Sequence, residues 1–181
     1  PRAPRLLVLL DVSGSMDRYA QLLLKVMYAL GQRSRRVETF VFSTSLTKVT
    51  RQMRLPRFQD ALQQVGEAVR HWSGGTRIGE SLRSINVEFP DLLDRNTSVI
   101  LLSDGWDTGS PAHLAEELSR LRKRVRRIIW LNPLLGTPDY QPLTMGLQAA
   151  RPYVDLFASA RNLEQIKRLP GYLRSQSPVA G

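Results

Sequence analysis

Two aspartates and two serines stand where apolar runs give way to loops, a threonine stands in a turn before a helix, and oxygen donors in that pattern suit a hard divalent cation. Asp11-Val12-Ser13-Gly14-Ser15 follows the apolar run Leu6–Leu10. In an extended loop, alternate side chains point the same way, so one carboxylate and two hydroxyls can converge on a point. Gly14 is expected to let the backbone fold tightly around that point. Ser103-Asp104-Gly105 supplies a second carboxylate after another apolar run, and Ser73-Gly74-Gly75-Thr76 supplies a third hydroxyl from a turn that leads into a helix. A compact, octahedral, partly hydrated site of this kind favours Mg²⁺, with Mn²⁺ or Ca²⁺ as alternatives. Each piece alone has a plain structural reading. Asp-Gly and Gly-Gly pairs form turns, and Ser15 or Asp17 could simply cap a helix. Their recurrence at three strand-end or helix-start loops favours the cation.

The elements that must position these residues alternate between two patterns. Leu6–Leu10, Val99–Leu102 and Ile128–Leu131 are uninterrupted apolar runs, which read as parallel strands covered on both faces. Val37–Phe42 is a fourth strand, Leu46–Thr50 alternates as an edge strand does, and a short sixth is expected at Tyr153–Phe157. Between them, Leu22, Leu23, Val26, Met27 and Leu30 recur at helical spacing, with Gly31 expected to close the helix. Phe58 to Val69, Ile78 to Ile85, and Pro111 to Leu121 give three more helices. The expected fold is α/β: a doubly wound, mostly parallel sheet flanked by helices, with one antiparallel edge strand. Ligands of such folds bind beyond the carboxyl ends of the strands, where strand order reverses.

The order Asp11-x-Ser13-x-Ser15, Thr76, then Asp104 within Ser-Asp-Gly resembles the metal-ion-dependent adhesion site (MIDAS) of von Willebrand factor A (VWA) domains. The resemblance runs from Arg5 to about Leu169 and leaves all five positions unsubstituted. It implies direct metal contact by Ser13, Ser15 and Thr76, with Asp11 and Asp104 often acting through water. Within that family the chain is similar to the CoxE-like bacterial group, on Phe40-Val41-Phe42-Ser43, Gly-Gly-Thr76-Arg-Ile-Gly, Ser-Asp-Gly-Trp106-Asp and Trp130-Leu131-Asn132-Pro133-Leu134. This implies a cytoplasmic protein working beside a MoxR-type AAA+ ATPase, as the name-giving group does in maturing the metal centre of carbon monoxide dehydrogenase.

The 181 residues suit one domain, over residues 1–181 with its core at about 5–169. Cysteine is absent, which excludes disulfides, thiolate zinc sites and cysteine nucleophiles and fits a reducing cytosol. The start, Pro1-Arg2-Ala3-Pro4-Arg5, has neither Met nor a signal-peptide pattern, so we expect the domain to be the C-terminal part of a longer protein. No apolar run approaches the ~18–20 residues that span a bilayer.

Binding is expected rather than catalysis. Metal-bound water would need a general base nearby; of the 2 histidines, His71 precedes the Gly-Gly turn closely enough to be considered on loose proximity alone, and His113 falls in the first turn of a helix, where a surface position is the default. No nucleophile elbow or phosphate-binding glycine loop is present, so nucleotide hydrolysis must come from a partner. Asp107 is a nearby carboxylate with no assigned role. The net charge of +10 resides mostly in arginines, clustered at Arg33, Arg35, Arg36 and from Arg120 to Arg127. Arg122, Arg124 and Arg126 are candidates to steer an acidic partner. Nucleic-acid binding is the alternative, although no RNA-binding aromatic motif is visible.

Overall fold

A computed structural model describes residues 4–69, 75–107, 109–135 and 145–160. Its strands are β1 (Arg5–Asp11), β2 (Val37–Phe42), β3 (Leu46–Lys48), β4 (Thr97–Leu102), β5 (Arg127–Asn132) and β6 (Leu156–Ser159). Its helices are α1 (Asp17–Arg33), α2 (Phe58–Ala68), α3 (Ile78–Glu88), α4 (Pro111–Arg124) and α5 (Met145–Ala150). The strands form one sheet in the order β3-β2-β1-β4-β5-β6, parallel throughout except for β3, which runs antiparallel to β2. The doubly wound sheet with an antiparallel edge is therefore present. Strand order reverses between β1 and β4, which are paired Leu10 to Leu102.

The apolar runs are continuous because each strand serves two cores. Val8, Leu10, Ile100, Leu102, Ile129 and Leu131 face α1 and α2, packing with Leu23, Met27 and Val65. Leu7, Leu9, Val99, Leu101, Ile128 and Trp130 face the opposite layer, where Ile78, Leu82, Leu114, Leu118 and Leu147 come from α3, α4 and α5. Full burial of each such side chain contributes about 1.5–3 kcal/mol.

Two expectations are corrected. Gly31 lies inside α1 and does not end it: a Cβ there would stand 3.2 Å from both Cβ and O of Met53, so glycine lets the Gln52–Arg54 turn pack against the helix. The sixth strand begins three residues later than expected, because Arg151–Tyr153, carrying Pro152, forms a 3₁₀ turn before the strand. Helix α5 carries too short an apolar pattern to be visible in the sequence. Among the described residues, no helix is long and apolar enough to cross a membrane.

Candidate metal centre

Residues 11–16 are shaped by where their apolar members must go. Val12 and Met16 are buried in the core, and the Val12 N–H donates to Phe42 O at 2.8 Å. That pins the loop to β2 and turns the intervening Ser13 and Ser15 toward the end of the sheet. Their hydroxyl oxygens lie 3.3 Å apart. Neither hydroxyl is consumed by capping: the Gly14–Met16 turn and α1 both start without a side-chain cap. The helix-cap reading of Ser15 is thereby removed. Gly14 has nothing within 4 Å of where a Cβ would be and no positive φ, so the tight-turn role expected of it is not needed. The glycine that does need its freedom is Gly105, at φ 78°.

Asp11 is fully buried and held from two sides. Its Oδ1 accepts the Ser13 N–H at 2.9 Å, and its Oδ2 accepts the Ser103 hydroxyl at 2.7 Å. Burial pushes its carboxyl from 3.8 up to about 6; the Ser103 and Ser13 hydrogen bonds oppose that rise, and the Asp104 charge adds to it. Ser103 is braced in turn, because its carbonyl accepts the buried Trp130 indole N–H at 3.0 Å and its hydroxyl accepts the Gly105 N–H at 3.1 Å. Asp104, also buried, accepts the Trp106 N–H at 3.0 Å. Thr76 is buried at the same edge of the sheet, where the next residue, Arg77, donates its N–H to Ser43 O just past β2 at 3.0 Å. The structure thus brings Asp11, Ser13, Ser15 and Asp104 together at the reversal point and puts Thr76 on that edge.

Two side chains have roles the sequence did not disclose. Ser103 positions Asp11. Asp107 joins two loops: its Oδ1 accepts the N–H of Ile78, the first residue of α3, at 3.4 Å and that of Gly109 at 2.9 Å. Burial raises its pKa while those N–H groups lower it. A polar residue directly before a strand-end aspartate was the available signal for Ser103. Nothing in the sequence marked the long-range cap by Asp107.

The arginines go elsewhere. Arg122 pairs with Asp155 at 3.0 Å, and Arg124 donates to Asn86 O at 3.0 Å and Pro90 O at 3.1 Å. Arg126 is exposed beside the start of β4, where its N–H donates to Thr97 O. All three lie at the opposite edge of the sheet, one strand length of roughly 20 Å from Asp11 at ~3.3 Å per residue. Arg124 ties α4 to the last turn of α3 through the Asn86 carbonyl and to the 3₁₀ turn after it through the Pro90 carbonyl. Arg124→Ala is therefore expected to lower stability by about 1–3 kcal/mol in urea unfolding and to leave cation binding unchanged. A cation-binding defect with normal stability would contradict that role. His113 sits in the first turn of α4, its N–H on the Ser110 hydroxyl, and His71 lies outside the described residues.

The residues fit a cation. Two oxygens bound side by side in an octahedron at ~2.1 Å lie about 3.0 Å apart, close to the Ser13–Ser15 separation of 3.3 Å. All the donors are oxygen. The family model described as VWA domain containing CoxE-like protein matches residues 1–166.

The chain belongs to the CoxE-like VWA family.

Solved structures similar to this VWA domain include a von Willebrand factor type A protein from Catenulispora acidiphila, 17% identical with a TM-score of 0.61, covering 95% of this chain and 41% of that one. The manganese-loaded TRAP protein of Plasmodium vivax is 18% identical at a TM-score of 0.61, over 94% of this chain and 73% of that one. Proximal thread matrix protein 1 from the mussel byssus, with a zinc-occupied MIDAS motif, is 21% identical at 0.55, over 94% and 44%. At these identities the likeness shows a shared fold. The chain spans under half the length of the first of these proteins. No curated protein matches it.

Proposed function

We propose that this VWA domain is a metal-dependent protein-binding module, in which Asp11, Ser13, Ser15, Thr76 and Asp104 hold Mg²⁺ and the cation grips an acidic side chain of a partner. The observation that carries the reading is the pair of uncapped serine hydroxyls, 3.3 Å apart, beside two buried carboxylates at the strand-order reversal. Metal-bearing sites in two proteins of the same fold, manganese in TRAP and zinc in proximal thread matrix protein 1, support it. The cation supplies an open coordination position for a carboxylate. Ser13 and Ser15 would present their oxygens as neutral donors, and the Asp11 and Asp104 side chains would supply the anionic oxygens that offset the double charge. Ser103 and the Trp106 N–H fix the two carboxylates so that little reorganisation is needed on binding. The site has no need of a general base, and we read the domain as a non-enzymatic adaptor.

The CoxE-like membership supports a cytoplasmic setting in which a MoxR-type AAA+ ATPase drives remodelling while this domain holds the client, a metalloenzyme such as carbon monoxide dehydrogenase. The test is capture of partners on the immobilised domain with Mg²⁺, with chelator, and with Asp104→Ala. Capture lost in both chelator and Asp104→Ala is the expected result; capture indifferent to both refutes the reading. A nucleic-acid reading draws support from two clefts at the far edge of the sheet, one lined by Arg33, Arg35 and Arg54 and the other by Arg5, Arg36 and Arg126. It requires binding that falls steeply with salt and ignores chelator.

A further inference from the structure

Among the described residues, the large apolar side chains left exposed are Val87, Trp106 and Met145. Two of them stand beside the candidate metal centre. Trp106 is 60% exposed two residues after Asp104, and Met145, 73% exposed, opens α5. The next residue, Gly146, brings α5 against the same loop: a Cβ there would stand 3.7 Å from Asp107 Cβ and 3.8 Å from Gly105 O. Helix α5 thus seats against the loop bearing Asp104 and Trp106. Past it opens a cleft of ≈ 260 Å³, mostly apolar, lined by Leu135, Leu147 and Phe157 with Arg151 and Asn132. That volume accommodates an aliphatic or aromatic side chain.

We propose that Trp106, Met145 and this cleft form the second half of the adhesion surface, which takes an extended acidic segment with one carboxylate on the cation and an apolar side chain two or three residues away. The proposal rests on the metal-dependent reading above and adds what the partner must carry next to its acidic residue. The spacing follows from the sheet. Asp104 lies past β4, and the cleft opens past β5 and β6, one to two strand spacings of ~4.8 Å away, which an extended peptide covers in two or three residues at ~3.3 Å each. The occupant follows from charge: a cation centre and the exposed Arg151 that lines the cleft both favour an acidic segment. Exposed tryptophan is a costly feature on a monomer surface, and it is among the side chains that anchor protein interfaces most strongly. Without such an apolar anchor, one carboxylate on a partly hydrated cation would confer little selectivity among acidic proteins.

Two synthetic peptides with blocked termini separate the possibilities, each with a Glu as its single carboxylate in a Ser/Gly background, one with Phe three residues after the Glu and the other with Ser there. Their affinities are measured by fluorescence anisotropy for the wild-type domain and for Trp106→Ser/Met145→Ser, in Mg²⁺ and in chelator. Both substituted side chains are exposed, so the fold should persist, and unchanged Mn²⁺ affinity verifies the metal centre. The expected result is Mg²⁺-dependent binding, roughly tenfold tighter for the Phe peptide, with that preference lost in the double variant. Equal affinities for the two peptides in Mg²⁺, or a preference that survives in the double variant, overturn the apolar surface and leave the metal reading standing. Absence of Mg²⁺-dependent binding by either peptide overturns both.

Discussion

Replacing Asp11 by Asn is expected to abolish metal-dependent partner binding, by at least a hundredfold, while making the metal-free domain more stable at neutral pH. The two effects share one cause. Asp11 is a carboxylate buried at the end of β1, next to Asp104, and without a cation its negative charge has only hydrogen bonds to offset desolvation. Its pKa of about 6, raised from 3.8, corresponds to a cost of about 3 kcal/mol for carrying that charge in the folded state, at ~1.4 kcal/mol per unit. Asn keeps an oxygen for the Ser13 N–H and can donate its amide to the Ser103 hydroxyl, so the loop retains its connections. It cannot supply the anionic oxygen that a divalent cation requires.

The sign of the pH dependence follows directly. In the metal-free fold Asp11 holds its proton up to about pH 6, whereas in the unfolded chain it releases it near 3.8. The stabilising contribution of the protonated form is fully present below 3.8 and disappears as pH rises through 6. In chelator, the stability advantage of Asp11→Asn over wild type should therefore be largest at pH 7 and above and shrink toward pH 4. In saturating Mg²⁺ the wild type should recover, because ligand bound only by the folded state stabilises it, and Asp11→Asn should not respond. Urea unfolding of both proteins at several pH values, with and without Mg²⁺, checks this. An Asn variant less stable than wild type at pH 7 in chelator would make Asp11 a structural residue.

Legibility in the sequence tracked locality. β1, β4 and β5 were readable because both faces of each are covered, which leaves no polar interruption. The candidate cation site was readable because Asp11, Ser13 and Ser15 alternate within one short stretch and the strand ends mark Asp104. What escaped depended on contacts between distant segments. Arg122 and Arg124 read as a basic face, yet they answer Asp155 and the carbonyls of Asn86 and Pro90, 33 to 38 positions away in the chain for Arg122 to Asp155 and Arg124 to Asn86. Gly31 looked like a terminator, since sequence cannot show that Met53 needs its space. Trp106 looked like a family marker, and only its exposure beside Asp104 turns it into a recognition element.

Gly105 is the position where a single methyl group should do most damage to the site. Its φ of 78° lies in the left-handed region, and a Cβ there would come within 2.6 Å of Leu147 Cγ. Alanine would add about 1–2 kcal/mol for the backbone conformation alone, and Leu147, buried against α4, cannot swing its branch point away without unseating α5. Gly105→Ala is expected to lose about 2–4 kcal/mol of stability in total. It should also weaken Mg²⁺ binding, because Asp104 precedes it and the Trp106 N–H that holds Asp104 follows it. Leu147→Ala isolates the steric part. By itself that change leaves a cavity at a cost of about 2–5 kcal/mol, but it also vacates the space the new Cβ requires. In the double variant the two losses should therefore sum to less than their separate values by 1 kcal/mol or more, within the ~0.5–3 kcal/mol range of contacting residues. Mg²⁺ affinity should recover part of the way alongside stability. Strict additivity in urea unfolding would show that the left-handed backbone alone, with no contribution from contact with α5, makes glycine necessary beside Asp104.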